Sequence, residues 1–221
     1  MELTEVMRTT FAAREFIDEP VEDEVLYRIL DNARFAPSGG NRQGWKVIVV
    51  RDSATRRSLA ELGAPAMKLY AAQVRAGENP WNTVQASKVT QEDADAHPLR
   101  YPLIEQLEKM PVVLVVCVDL SVVTAFDRHQ PRIGVICGAS IYPFVWNILL
   151  AARNEGLAGV LTTFLASQET KAQEILGVPA HFAVAALVPI GKPVRQLTRL
   201  RRNPVESFTF IDRFQGEPFA G

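Results

Sequence analysis

The chain has 221 residues, 48% of them hydrophobic and 22% charged, with a formal net charge of −1 at pH 7. That length suits one large domain or two small ones, and the apolar share is that of an ordinary globular protein. So small a net charge provides no basic field for nucleic acid or an anionic membrane surface.

In chain order, residues 3–10 predict a short helix. Residues 22–35 predict a stronger one, because Val25, Leu26, Ile29, Leu30 and Ala33 recur at helical spacing and Glu22, Asp23 and Glu24 suit its positive end. Trp45 to Val50 reads as a strand, and Asp52 or Ser53 caps a helix through Leu62 that continues over 64–76. Residues 77–101 are turn-rich and are predicted to be an insertion, part helix and part mobile lid. Trp81 and Tyr101 in this stretch are candidates to stack on a planar substrate, with packing on the domain as the alternative. The acidic residues Glu92, Asp93 and Asp95 read as a solvated face of that lid.

Val112 to Val118 and Phe182 to Ile190 are continuous apolar runs, as expected of strands buried on both faces. Ile133 to Ala152 approaches membrane-span length, but Gly134, Gly138, Ser140, Pro143 and Asn147 interrupt it and Arg132 and Arg153 flank it. It predicts a buried central helix that needs a partner subunit to cover it. Val160 to Thr163 is a short strand or strand end, Ser167 caps a helix to Leu176, and Ser207 to Ile211 is a last short strand on a tail. Helices alternating with four or five strands predict an α/β layered fold, as one domain over 1–221. Cys117 and Cys137 both read as buried free thiols, and the start of the chain shows no secretory pattern, so a cytoplasmic setting is expected.

No GxGxxG, GxxxxGK[ST] or GxSxG motif is present, and His97, His129 and His181 lack metal-ligand spacing. A phosphate-bearing cofactor would therefore be held by side chains. Three segments offer them. Arg8-Thr9-Thr10 with Arg14 gives two guanidinium groups and two hydroxyls at a helix end, where the alternative is a solvated surface. Arg199-Leu200-Arg201-Arg202-Asn203-Pro204 concentrates positive charge, or is simply a basic turn. Between helix and strand, Ala36-Pro37-Ser38-Gly39-Gly40-Asn41-Arg42-Gln43-Gly44-Trp45 carries more hydrogen-bonding groups than a connector needs. Its glycines let backbone amides approach a ligand; a helix C-cap with polar loop residues is the alternative.

This last run resembles the flavin-binding loop of the FMN-dependent nitroreductase family, Ala-Pro-Ser-small-small-Asn-x-Gln-Pro-Trp, with Gly44 in place of the proline. The resemblance extends over nearly the whole chain. It implies a nitroreductase-like fold with a mostly antiparallel central sheet flanked by helices, a homodimer built on the long apolar helix, and a tail over 204–221 that reaches the partner. It also implies that Pro37, Ser38, Gly39, Gly40 and Asn41 contact FMN. Arg8, Thr9, Thr10 and Arg14 resemble the family's Arg-Arg-Ser-x-Arg-x-Phe entry with two extra residues, which touches the phosphate, ribityl chain and pyrimidine edge. Arg202, or failing it Arg201, takes the place of the basic residue that grips the phosphate. Leu161, Thr162 and Thr163 resemble the strand at the reactive face, and Ser140 a polar neighbour of the flavin. The activity implied is reduction of nitroaromatics, quinones or similar acceptors by NAD(P)H in a ping-pong scheme, with the chemistry on FMN rather than on a catalytic side chain. The alternatives are a reductive dehalogenase or flavin-fragmenting relative, or a flavin-binding sensor or storage protein.

Overall fold

The computed structural model describes residues 1–220. Helix α1 spans Leu3–Thr9 and α2 spans Asp23–Ala33. Strand β1 covers Trp45–Val49, and α3 runs unbroken from Ser53 to Arg75. Asp52 caps α3, its carboxylate accepting from the Thr55 amide at 2.7 Å. Pro65 lies on the exposed side of α3, where one lost hydrogen bond is tolerated. Two short helices, α4 (Gln91–Asp95) and α5 (Pro102–Glu105), precede β2 (Val112–Asp119). Helix α6 (Tyr142–Asn154), β3 (Ala158–Gly159), α7 (Glu169–Leu176) and β4 (Phe182–Gly191) complete the domain.

The sheet order is β1-β2-β4-β3, and every neighbouring pair is antiparallel. Period-two alternation explains why β2 and β4 read as unbroken apolar runs. On β2, Val112, Leu114, Val116 and Val118 face one core, shared with Leu26 and Ile29 of α2 and with Phe144, Val145 and Ile148 of α6. Val113, Val115 and Cys117 face the other, built from Leu59 of α3, Leu103 of α5, Phe164 from the turn before α7, and Ala172 of α7. Burial pushes the Cys117 thiol up to about 11, so it stays protonated at neutral pH.

The structure corrects several expectations. The apolar stretch from Ile133 is not one helix to Ala152: Ile136–Ser140 is a 3-10 turn and α6 begins only at Tyr142. Gly138 packs where a Cβ would lie 2.9 Å from the Tyr142 ring, and Pro143 sits in the first turn, where its missing N–H costs nothing. Cys137, in that turn, is half-buried rather than buried. The helix expected from Ser167 starts at Glu169, because Ser167 closes a 3-10 turn by donating to the Phe164 carbonyl at 2.8 Å. Strand β3 lies at Ala158–Gly159, with Thr162 adding an isolated bridge to Leu187. The expected final strand at 207–211 is absent among the described residues. Phe210 bridges Pro218 alone, after a 3-10 turn at Val205–Ser207. No helix of the described residues is long and apolar enough to cross a membrane.

The buried Gly63 joins α3 to the segment after β3. A Cβ there would overlap the Phe164 ring and lie 3.3 Å from Ile104 Cδ1. Gly63→Ala gains about 1 kcal/mol of helix propensity. Overpacking a buried ring costs roughly 1–3 kcal/mol, so the clash wins. A net loss near 1 kcal/mol should lower Tm by about 2–4 °C in a chain of this size. A raised Tm would show that the ring swings aside freely.

Candidate active site

A cleft of about 620 Å3 opens between α3 and the segment that leaves β3. Ala66, Met67 and Tyr70 form its α3 wall, and Leu161, Thr162, Thr163 and Phe164 form the facing wall. Pro80 and Trp81 from the 77–90 loop and Tyr101 add to the lining. Arg14 supplies the one ionic side chain among the described lining residues. Its Nε donates to the Tyr101 hydroxyl at 3.1 Å, and its Nη1 donates to the Ala12 carbonyl at 3.1 Å.

The expected lining residues Arg14, Trp81, Tyr101, Leu161, Thr162 and Thr163 thus meet in one cavity. The α3 wall carries no motif, although Ala66 and Met67 stand four and three residues before Tyr70, steps that share a helix face. Thr162 contributes its place rather than free groups. Its amide donates to the Leu187 carbonyl, its carbonyl accepts from the Leu187 amide, and its hydroxyl donates to the same Leu187 carbonyl at 2.9 Å.

Arg14 also faces a second groove, of about 380 Å3, whose far side carries Val194, Arg195 and Leu197. After β4 the chain returns along the N-terminal segment. The Ile17 amide donates to the Lys192 carbonyl, the Val194 amide to the Glu15 carbonyl, and Gln196 Nε2 to the Thr9 carbonyl at 3.0 Å. The two basic segments, remote in sequence, are therefore led together. Arg195 was not singled out in the sequence, because a lone arginine beside a valine carries no pattern. Arg8, Arg201 and Arg202 are exposed, and Arg202 Nη1 donates to the Arg201 carbonyl at 2.8 Å. Thr9 and Thr10 are different. Both are buried, their hydroxyls donate to the Glu5 and Val6 carbonyls, and Thr9 Oγ1 also accepts from Arg153 Nε. Their protons serve α1, so the two hydroxyls do not offer donors to a ligand.

The loop at 36–45 forms a separate cluster. Ser38 Oγ accepts from the Gln43 amide at 3.0 Å, and the Gly39 amide donates to Ser140 Oγ at 3.1 Å. Gly40, Asn41 and Gln43 all have positive φ, and Arg42 folds back to donate to the Gly39 carbonyl at 3.1 Å. Pro37 and Asn41 are exposed on the same turn. Trp45 anchors the loop by stacking on Phe144, centroids 4.7 Å apart. Gly44 fits because a Cβ would come within 2.7 Å of Val122. The run before Ser140 is organised by Asp127, another residue without a local signal in the sequence. Its buried carboxylate accepts from the Val135 amide and from Arg132, each at 2.7 Å, and these contacts hold it below the usual carboxylate range.

This loop leads into β1 and the cleft's strand segment leaves β3, at opposite edges of the sheet. Two strands lie between them, so the edges are roughly 14 Å apart at the usual strand spacing. No group of three potential metal ligands occurs among the described residues.

A cleft walled by Tyr70, Trp81, Tyr101 and Phe164 shares Arg14 with a groove that carries Arg195 and Glu15. A ring system with an anionic tail suits the two arginines, and the site's class is that of the flavin-dependent oxidoreductases. More narrowly, the model of the Nitroreductase family matches residues 7–192, and the chain belongs to that family. It is 29% identical over 197 residues to a protein named NADH dehydrogenase from Thermus thermophilus, covering 87% of each chain. It is 26% identical over 215 residues to human iodotyrosine deiodinase 1, covering 93% of this chain and 66% of that one. Among solved structures, the NADPH:FMN oxidoreductase from Vibrio harveyi complexed with NAD+ superposes with a TM-score of 0.66 at 21% identity, over 96% of this chain and 78% of that one.

Proposed function

We propose that the protein is a homodimeric FMN-dependent oxidoreductase that takes hydride from NADH or NADPH and reduces a planar, electron-poor acceptor such as a nitroaromatic or quinone. The observation that carries this reading is Arg14, shared between the aromatic cleft and the Arg195 groove. The ring of FMN fits the first and its ribityl phosphate the second. When bound, FMN supplies the two-electron chemistry.

The chain supplies the rest. Leu161 and Thr163 would flank the ring, and Arg14 would place positive charge beside it, which favours the negative charge that gathers on reduction. Arg8, Arg195 and one of Arg201 and Arg202 offer guanidinium forks to the phosphate. Pro37, Ser38, Gly39, Gly40, Asn41 and Ser140 lie at the other sheet edge of the same protomer, so they serve the flavin held by the second subunit. Met67 and Tyr70 keep water from the ring, and Trp81 and Tyr101 offer faces on which the acceptor stacks. One arginine, with no carboxylate or lysine among the described lining residues, suits a neutral or anionic aromatic better than an amino-acid zwitterion. That favours the reductase over the dehalogenase reading.

Heat-released supernatant of the purified protein should contain FMN, and anaerobic mixing with NADH or NADPH should bleach the bound flavin. A colourless protein that does not take up added FMN would sink the reading. Flavin that is bound but not bleached by either nucleotide would instead identify a sensor or storage protein.

The 77–101 segment is the proposed acceptor lid. A stacked aromatic contact is worth about 0.5–1.5 kcal/mol, so Trp81→Ala and Tyr101→Ala should each lower acceptor kcat/KM roughly 2- to 12-fold. Measuring the two half-reactions separately provides the check. If flavin reduction slows as much as reoxidation, the rings do not select the acceptor.

A further inference from the structure

We propose that Gln73, in the last turn of α3, is a positioning residue that holds Trp81 in the cleft wall and thereby sets the preference for flat aromatic acceptors. This rests on the reductase reading above. Gln73 does not line the cleft. It is one of four polar residues buried among the described residues, at 4% exposure. Its Oε1 accepts from the Trp81 amide at 3.0 Å, while its own main-chain carbonyl accepts from the Glu78 amide at 2.9 Å. One residue thus ties down both the exit of the helix and the start of the loop.

Trp81 needs such a tie. Its φ is +52°, in the left-handed region that a bulky side chain rarely adopts. Backbone in that region persists only where its surroundings over-determine it. Burial of the indole does not do this, because Trp81 is 51% exposed. The loop is fixed on either side of it. Pro80 precedes it with a ring-locked φ, and the Glu78 carboxylate accepts from the Ser87 hydroxyl at 2.6 Å and the Lys88 amide at 2.8 Å. Further along, Lys68 of α3 pairs with Asp95 of α4 at 3.1 Å. Within this frame the Gln73 oxygen is the contact that meets Trp81's own backbone. Without it, Trp81 is free to relax toward extended backbone, which turns the indole away from the cleft.

The test uses the flavin-loaded protein with two acceptors: a flat quinone that stacks, and hexacyanoferrate(III), which does not. Gln73→Leu removes the acceptor oxygen at similar size, and Gln73→Met does so while keeping the side chain's length. Each should raise the quinone KM by the same roughly 2- to 12-fold factor expected for losing the Trp81 ring. The hexacyanoferrate(III) KM and the rate of flavin reduction should not change. Gln73→Glu, which keeps an accepting oxygen, should restore the quinone KM. In a Trp81→Ala background the Gln73 substitutions should add nothing further, because both act through one ring. Hydrogen exchange at the Trp81 amide, followed without any acceptor, should speed up in Gln73→Leu and Gln73→Met but not in Gln73→Glu.

Equal effects on both acceptors, additive effects in the double variant, or unchanged exchange at Trp81 would each overturn the proposal. Unchanged exchange in a protein that binds and reduces flavin sinks the Gln73 tie alone. A protein that takes up no flavin sinks the reductase reading, and with it the role in acceptor choice.

Discussion

Arg202→Ala should weaken FMN binding about ten- to hundredfold while leaving the protein folded. A charge-assisted hydrogen bond contributes roughly 1.5–3 kcal/mol, which is that range in affinity. The fold should not notice the change, because Arg202 is exposed and donates only to its neighbour's carbonyl. The chain geometry favours a C-terminal arginine at the phosphate. Hydrogen bonds tie residues 192–196 to the N-terminal segment, so the chain enters the arginine run directly from the side of the Arg14 groove. Fluorescence titration of the apoprotein with FMN provides the measurement. Arg201→Ala and Arg195→Ala are the companions, and a loss confined to one of the three assigns the phosphate contact. Unchanged affinity in both Arg201→Ala and Arg202→Ala would remove the C-terminal cluster from the site.

What was legible in the sequence follows from the range of the forces involved. Strands β2 and β4 could be read directly, because a strand buried on both faces must be apolar at every position. The start of α6 could not. Ile133, Val135 and Ile136 are as apolar as the helix that follows, yet all three are exposed, Ile133 and Val135 before the 3-10 turn and Ile136 at its start. Apolar content without a period does not fix a helix boundary, and the true markers were Gly138 and Pro143. The site shows the same divide. The 36–45 run was recognisable as a motif, but its link to Ser140 spans 101 residues and has no local signal. Thr9 and Thr10 suited a ligand by residue type. Their place in the last turn of α1 gives each hydroxyl a nearer acceptor, the carbonyl four residues back. Arg195 and Gln73 take their places only from how the chain returns, along the N-terminal segment in one case and over the end of α3 in the other.

Trp146→Glu should yield a colourless monomer, the largest effect expected of any single change here. Helix α6 buries Phe144, Val145, Ile148, Leu149 and Ala152 in its own core. On its other side Tyr142 and Trp146 are 40% and 44% exposed, and Leu150, the next position at that spacing, is only half-buried. Exposed Ile133, Val135 and Ile136 lie before this helix in the chain, and the 3-10 turn that Ile136 opens ends on Ser140, bonded to Gly39 of the loop. A second copy laid on this face buries the apolar stripe and carries the loop cluster toward the partner's cleft in the same movement. In a two-fold dimer each substitution appears twice, so two unpaired carboxylates would enter the interface. At several kcal/mol of desolvation per ion, the dissociation constant should rise by at least about a thousandfold. The unmodified protein should sediment at micromolar concentration as twice its 24.5 kDa chain mass, and the variant as a single chain with unchanged far-UV circular dichroism. Flavin should leave with the partner, because the Ser38–Asn41 loop and the cleft of one protomer stand at opposite edges of the sheet, and the proposed site draws its loop from the second copy. A monomeric variant that keeps its FMN would show that one chain completes the site. A variant that stays dimeric would move the interface off this face of α6.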